Sequence, residues 1–540
     1  MSSLKLLLFN TIVATLLIRG YAATLLVQNF TYWTAFAVFS TQIIVWLVWS
    51  CVIYPKLFSP LRNLPQPSGS SFFMGQFWRL MKKGGMELQC SWVNEVPNDG
   101  VIMYPCFLNW QRILVVKPQA LAEVMLSRAY DYVKPPHIKT GVGAIFGSGL
   151  VFIEGEYHKM QRKHLMPSFA FRRIKDLYPT FWGKSMELVD ELKVYIGNEN
   201  DTTKMSPVIL VERWASRATL DIIGAAGLRQ EFRAIQDPGN KLSKVYNKVC
   251  SPSKWALLAG MLGYSKPTRI IGSILVKFTD DFVAASHIVK GHCYSLIEAE
   301  RRNISNHEKP HLDILSVALQ SGSISDDELV NHLMTFLLAG HETVSAALSW
   351  VIYFLCRYPK VQARLRDELA VAIPLKVHDP CYIPTAAEID GIAYLNAVCS
   401  EVLRLRPVVP QTFRQANVDT SIVGHYIPKG TIVLLCPWAV HRSKELWGED
   451  AAEFRPDRWM APGHANTGGA ESATAFLTFL KGPRGCIGEA FARAELACLV
   501  AAWVSAFETE FADKDYVEEV AHGISSKPAK LEVRLKVIGA

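Results

Sequence analysis

The stretch FLKGPRGCIG, Phe479 to Gly488, sets one cysteine among three glycines, a proline and an arginine, just before a run from Gly488 to Trp503, GEAFARAELACLVAAW, that reads as a helix. A thiolate is the nucleophilic and metal-binding form of cysteine, and it is favoured at a helix N-terminus by the helix dipole and by nearby cations. Gly482, Pro483 and Gly485 fit a tight turn whose backbone can approach a flat ligand closely. Arg484 can bind an acidic group on such a ligand, and N–H groups of the turn can hydrogen-bond the sulfur. A lone cysteine is ordinarily an inert buried thiol. The crowded frame around Cys486 argues instead for a ligand.

The other cysteines carry no such frame. Eleven are scattered through 540 residues without a CxxC pair, which indicates neither a zinc ribbon nor a secreted disulfide framework. The ten besides Cys486 read as reduced, mostly buried thiols of a cytosol-facing protein. The net charge of +8 is dispersed, with no basic run or aromatic-interleaved patch, so nucleic acid is not an indicated partner. An anionic membrane surface or an acidic protein fits that charge equally well.

The N-terminus predicts a membrane anchor over residues 1–58. Tyr32 to Tyr54 is an uncharged apolar run followed by Pro55 and Lys56, and it meets the roughly 20-residue requirement for a bilayer span. Leu6 to Ile18, ended by Arg19, begins a second candidate span over residues 6–27, with no clean signal-peptide cleavage site after it. Lys56 and Arg62 bias the downstream side toward the cytosol. If both runs span, Asn29-Phe30-Thr31 faces the lumen as a glycosylation acceptor. Prolines in residues 59–70, SPLRNLPQPSGS, predict a stiff extended connector, and residues 71–540 read as one large domain without repeats or a second linker.

Helical periodicity dominates from Tyr178 to Cys356, with β-like runs at Ile113 to Val116, Ser421 to Ile427 and Thr431 to Leu435. Pro428-Lys429-Gly430 between the last two predicts a hairpin. The clearest helix opens on a capping box, Ser325 to Glu328, and runs to Tyr358 before Pro359. Inside it lies Ala339-Gly340-His341-Glu342-Thr343, where a mid-helix glycine costs about 1 kcal/mol relative to alanine and a threonine hydroxyl can bond back to the preceding turn. One reading is a packing glycine. The functional reading is a widened groove for a small ligand such as dioxygen, with an acid and an alcohol to pass protons. Two look-alikes fail on spacing. Gly141 to Gly149 lacks the strand and the GxGxxG order of a phosphate loop, and His341-Glu342 lacks the second histidine of a zinc site, position 345 being serine.

Phe479, Gly482, Arg484, Cys486 and Gly488 match the FxxGxRxCxG haem-binding signature of the cytochrome P-450 family. The family's other segments follow in order: Ala339 to Thr343 matches AGxET, Glu401-Val402-Leu403-Arg404 matches ExxR, and Phe454 to Trp459 resembles FxPxRW. The chain resembles this family over residues 60–540. The resemblance implies a mainly α fold with small β-sheets, the cytochrome P-450 fold with an N-terminal membrane anchor, and monooxygenation of an organic substrate by dioxygen. It implies Cys486 as the axial thiolate of a haem iron, favouring O–O cleavage, with Phe479 and Gly488 beside it. It also implies Arg484, Arg414 and Arg162 on the haem propionates, with His158 standing where the family's WxxxR pattern has tryptophan. Ala339 and Gly340 would form the oxygen groove, Thr343 would hydrogen-bond the oxygen, and Glu342 would help deliver protons. By itself Glu401 with Arg404 is an ordinary i, i+3 pair; the resemblance implies a buried structural network with Arg458.

No flavin or nicotinamide motif is visible in the sequence, so the resemblance implies electrons from NADPH through a membrane-bound NADPH-cytochrome P-450 reductase, with cytochrome b5 as a second candidate partner. It places the protein on the endoplasmic reticulum, catalytic domain in the cytosol. The N-terminal region resembles fungal members that oxidise terpenoids or other secondary metabolites. A haem-thiolate isomerase or dehydratase, which needs no reductase, is the alternative, and a non-enzymatic haem-binding protein a third.

Overall fold

The computed structural model describes residues 10–18, 31–82, 85–136, 138, 147–197, 207–240, 242–245, 280–305, 314–320, 322, 324–373, 382–523 and 525–538. Asn29, residues 6–9 and 19–27 of the second candidate span, residues 141–146 of the glycine-rich stretch, and Trp255 lie outside them.

Helix α1, Thr31–Val48, carries no acidic or basic residue in its first or last turn, and Trp33, Phe36, Ile44 and Val45 stand exposed on it. It continues as a π-helical segment, Trp49–Phe58, with Pro55 inside. Proline lacks the N–H an α-helix would use here, and a wider turn absorbs that loss. Together Trp33–Phe58 is, among the described residues, the one helix long and apolar enough to cross a membrane. Its end is fastened to the protein body: Gln111 Nε2 donates to the Pro55 carbonyl at 3.0 Å and Asn109 Nδ2 to that of Cys51 at 2.9 Å. The proline-rich segment that follows is packed rather than free-standing. Leu61 and Leu64 are buried against the neighbouring sheet, and the Pro65 carbonyl accepts from Met103 N–H at 2.8 Å.

That sheet has five strands in the order β1 (Val101–Pro105), β2 (Gln111–Val115), β8 (Ile432–Leu435), β5 (Thr412–Ala416), β3 (Tyr132–Val133). Strand β8 runs parallel to β2, pairing Val115 with Leu435, and antiparallel to β5, pairing Val433 with Arg414. The expected hairpin across Pro428-Lys429-Gly430 does not form. Strand β7 (His425–Ile427) pairs with β6 (Thr420–Ile422) instead, because Val423 and Gly424 both take left-handed backbone angles and close a two-residue turn between them. Strand β8 is thereby free to enter the larger sheet. Strands β4 (Ile209–Leu210), β12 (Glu532–Val537) and β9 (Phe507–Phe511) form a third sheet, and β10 (Val520–His522) pairs with β11 (Ser526–Pro528).

The helices supply the bulk of the core. Beyond α1 the main ones are α2 (Gly155–Leu165), α3 (Tyr178–Ile196), α4 (Val211–Ile222), α5 (Asp280–Ser305), α6 (Asp326–Arg357), α7 (Ala393–Leu405) and α8 (Glu489–Ala506). Helix α6 has the expected capping box, Ser325 accepting from Glu328 N–H and Glu328 reaching back to Ser325 N–H. Its 32 residues extend about 48 Å at 1.5 Å per residue, and it packs on α4, α5, α7 and α8. Helix α8 is buried nearly all round, as its even spread of apolar residues requires.

One charged cluster joins α7 to the segment that leads into the cysteine loop. Arg404 makes a bidentate pair with Glu401, Nε to Oε2 and Nη2 to Oε1, both at 2.8 Å, and neither side chain is exposed. Its remaining N–H groups donate to the carbonyls of His441, Ala451 and Glu453. Arg458 Nε, Trp459 Nε1 and Arg455 N–H complete the shell around Glu401. Burial alone would raise the Glu401 carboxyl, but the two arginines outweigh it and hold it below the usual carboxylate range. Removing one partner of such a set leaves a buried charge uncompensated. Arg404→Leu is therefore expected to lower unfolding free energy by about 3–5 kcal/mol, checked by denaturant titration of the purified protein, while Arg458→Lys costs distinctly less.

Candidate active site

A cavity of about 340 Å³ lies between the face of α6 that carries Ala339, Gly340 and Thr343 and the loop that carries Cys486. Of the nine cysteines among the described residues, eight are buried, and Cys486 alone is exposed. It is open toward the cavity while protein surrounds its other sides. That enclosure pushes the thiol up to about 11, against the lowering effects of a hydrogen bond from Gly488 N–H and of the Arg162 charge. The helix start alone thus does not make the sulfur a free thiolate, contrary to the expectation from the dipole. A metal cation in contact deprotonates a thiol outright, so this environment suits a metal ligand better than a free nucleophile.

The loop shape follows from its glycines. Gly482 has φ +73°, and a Cβ there would stand 2.2 Å from the Met125 carbonyl oxygen. Cys486 N–H donates to the Phe479 carbonyl at 2.8 Å and Gly485 N–H to that of Gly482 at 2.9 Å, which closes the turn below the sulfur. Two further bonds tie the loop to the charged cluster. Thr478 Oγ1 donates to the Leu403 carbonyl at 2.8 Å, and Leu477 N–H donates to His441 Nε2 at 2.7 Å. Since His441 Nε2 accepts, Nδ1 carries the hydrogen and donates to the Arg404 carbonyl at 2.8 Å. Burial holds this imidazole neutral, near 3.

One edge of the cavity is cationic. Lys134, Arg162, Arg414 and Arg484 line it, and no Asp or Glu does among the described residues. Arg162 donates to the Gly485 carbonyl at 2.9 Å. Arg414, projected from β5, donates among the described residues to Thr412 Oγ1 and the Phe413 carbonyl of its own strand, and burial with Arg484 beside it pushes it down to about 10. Arg484 pairs with Glu154 at 2.5 Å and donates to the Ile153 carbonyl at 3.2 Å, so part of its bonding capacity is met within the protein. His158 also lines the cavity, its Nδ1 3.1 Å from the Tyr130 hydroxyl, and burial followed by the charges of Arg484 and Arg162 drives it down to about 3. It stands as a neutral hydrogen-bonding group among cations.

Helix α6 forms the opposite wall. It runs α-helically through Gly340 rather than widening there, and Thr343 Oγ1 donates to the Ala339 carbonyl at 2.6 Å. A Cβ at Gly340 would stand 2.9 Å from Ile223 Cδ1 of the neighbouring segment, so the glycine lets that side chain pack close to the helix. Glu342, expected beside Thr343, does not reach the cavity. Consecutive residues of an α-helix point about 100° apart, and with Thr343 facing inward Glu342 turns to the β10–β11 hairpin, where its Oε1 accepts from Ser525 Oγ at 2.6 Å and pairs with Lys527 Nζ at 3.4 Å. Beside Thr335 and Thr343 this side of the cavity is mostly apolar, with Phe336, Val344 and Ala347 from α6 and Val408 and Val409 from the segment after α7.

The chemistry of the set fits the haem that the resemblance implies. The sulfur can hold iron, the cationic edge can hold two carboxylates, Phe479 and Gly488 border the space for a flat ring, and the far wall is apolar. Lys134, Tyr130, Glu154 and His441 carried no motif signal; they join the site through contacts made only on folding.

The family model described as cytochrome P-450 matches residues 65–535. The chain is 41% identical to the cytochrome P-450 monooxygenase sphH of Aspergillus fumigatus, over 91% of each chain. It is 35% identical to the monooxygenase ALT8 of Alternaria alternata over 92% of each, and 35% identical to FUM15 of Gibberella moniliformis over 91% of each. The turn at Gly482 admits no side chain: Gly482→Ala is expected to give a folded protein that binds haem at least about tenfold more weakly, a displacement of the loop equivalent to about 1.4 kcal/mol or more, measured by haem retention on gel filtration.

Proposed function

The chain belongs to the cytochrome P-450 family, and from that premise we propose that it oxidises a hydrophobic secondary metabolite, with electrons from an NADPH-dependent reductase, while tethered to the endoplasmic reticulum membrane with its body in the cytosol. Monooxygenation is its reaction class, as its curated relatives are named. The observation that carries the reading is Cys486, the one exposed thiol among the described residues, directed into a cavity with a cationic edge on one side and a mostly apolar wall on the other.

Haem, when bound, activates dioxygen so that one oxygen atom enters the substrate and the other leaves as water. Cys486 would hold its iron, with Gly488 N–H bonded to the sulfur. Arg162, Arg414 and Arg484, with Lys134 and the neutral His158 beside them, would hold its two carboxylates. Phe336, Val344, Ala347 and Val408 exclude water from the far side and favour an apolar substrate. Thr343 keeps a proton at Oγ1, donated to the Ala339 carbonyl at rest; rotation about Cβ–Oγ1 redirects it into the cavity. Glu342, held by Ser525 and Lys527 one residue away, would serve as the proton store behind Thr343, reaching it through water rather than by direct contact. Lys481, beside the cysteine loop, suits an acidic redox partner, the reductase or cytochrome b5. The apolar Trp33–Phe58 helix supports the membrane tether.

The protein co-expressed with an NADPH-cytochrome P-450 reductase is expected to give the thiolate signature in its reduced, carbon-monoxide-bound spectrum, and Cys486→Ala to abolish it. Retention of that signature in the variant would refute the assignment of the sulfur. Thr343→Ala is expected to keep the spectrum while product formed per NADPH falls roughly tenfold, below the usual range for general acid catalysis because water substitutes in part; unchanged coupling would remove Thr343 from the proton path.

A further inference from the structure

His332 takes no part in the chemistry above, yet it is buried with both ring nitrogens engaged. Leu150 N–H donates to Nδ1 at 3.1 Å, so Nε2 carries the hydrogen and donates to Gln161 Oε1 of α2 at 3.2 Å. Burial pushes this histidine down to about 4, which keeps it neutral in that tautomer at ordinary pH. One residue earlier, Asn331 Oδ1 accepts from Ser148 N–H at 3.1 Å, and its Nδ2 donates to the Asp327 carbonyl at 2.7 Å, which settles the orientation of the amide. Between these bonds lies Gly149, whose Cβ would stand 2.2 Å from Thr335 Oγ1 and 2.5 Å from the Asn331 carbonyl. The segment from Gly147 therefore touches α6 backbone to backbone.

The same segment is held at its other end by the cysteine loop, through Arg484 to the Ile153 carbonyl and the Glu154 carboxylate. Between the two attachments, Leu150 and Val151 line the cavity. We propose that Asn331 and His332 are positioning residues that hold residues 147–154 as a strap from α6 to the cysteine loop, and that this strap, through Leu150 and Val151, determines how tightly the cavity grips a large apolar ligand. The inference rests on the reading of this cavity as the haem and substrate site. A strap ordered beforehand spares the ligand the cost of ordering it. Without the imidazole, Leu150 N–H is left buried and unpaired, and the segment must move to satisfy it.

His332→Phe keeps the ring that stacks on Phe336 and removes both polar atoms. In the haem-loaded protein it is expected to leave the thiolate spectrum intact and the spectrally titrated affinity for imidazole within about twofold, while clotrimazole binds about tenfold more weakly. Amide deuterium exchange over residues 148–152 is expected to rise at least about tenfold. Gly149→Ala, which leaves His332 in place and forces the strap off α6, is expected to reproduce both effects. His332→Gln, which keeps an acceptor and a donor, is expected to reverse them. Unchanged exchange and unchanged clotrimazole affinity in both His332→Phe and Gly149→Ala would overturn the proposal. So would an equal loss of both azoles together with the thiolate spectrum, which is the mark of a general stabilising role. Absence of the thiolate spectrum from the unmodified protein would defeat the proposed function instead, and the exchange comparison would still decide the strap.

Discussion

The bidentate pair between Glu401 and Arg404 is the constraint on which the site depends. Two fully buried charges are tolerated only when every donor and acceptor is met, and here each remaining N–H of Arg404 is spent on a backbone carbonyl from the chain between His441 and Glu453. That chain would otherwise be a long connection with little regular structure. Pinned in this way, it presents His441 to Leu477, and α7 presents the Leu403 carbonyl to Thr478. The cysteine loop therefore starts from two fixed points, and the sulfur seven residues beyond Phe479 inherits its position from a charge pair that never touches the cavity.

Around the sulfur, burial competes with charge. Enclosure raises the Cys486 thiol even though Arg162 and the Gly488 N–H favour its ionised form. The cationic edge shows the same tension, with Arg414, Arg162 and Arg484 all pushed down first by burial while Glu154 offsets this for Arg414 and Arg484. A ligand bearing a metal cation and two carboxylates relieves both costs at once. The charges of the site thus fit a haem.

Much of this was legible in the sequence where local chemistry decides the outcome. The capping box at Ser325 and the break before Pro359 bound α6 to within a residue, and the Gly482-Pro483-Arg484-Gly485 turn followed from backbone freedom that few other residues supply. Where two local signals compete, composition misleads: Pro428-Lys429-Gly430 has the makings of a hairpin turn, but the turn forms at Val423-Gly424 and β8 pairs in the central sheet. At Gly340 the helix does not widen: it faces the cavity and packs close to Ile223, a neighbour more than a hundred positions away in the chain.

The sequence by itself marked the residues proposed for the chemistry, a cysteine framed for close approach and an alcohol and an acid side by side in a long helix, together with the i, i+3 charge pair that supports them. Their spacings are short, so the backbone alone relates them. Only the tertiary structure decided what each of them faces. It turned Thr343 into the cavity and Glu342 toward Ser525 and Lys527, and it gave Arg484 a partner in Glu154. It also brought Lys134, His158, Arg414 and Cys486 to one cavity and set His332 against the strap. The reason is physical: a side chain's charge state and bonding depend on what is buried around it, and those neighbours come from segments whose proximity no local pattern encodes.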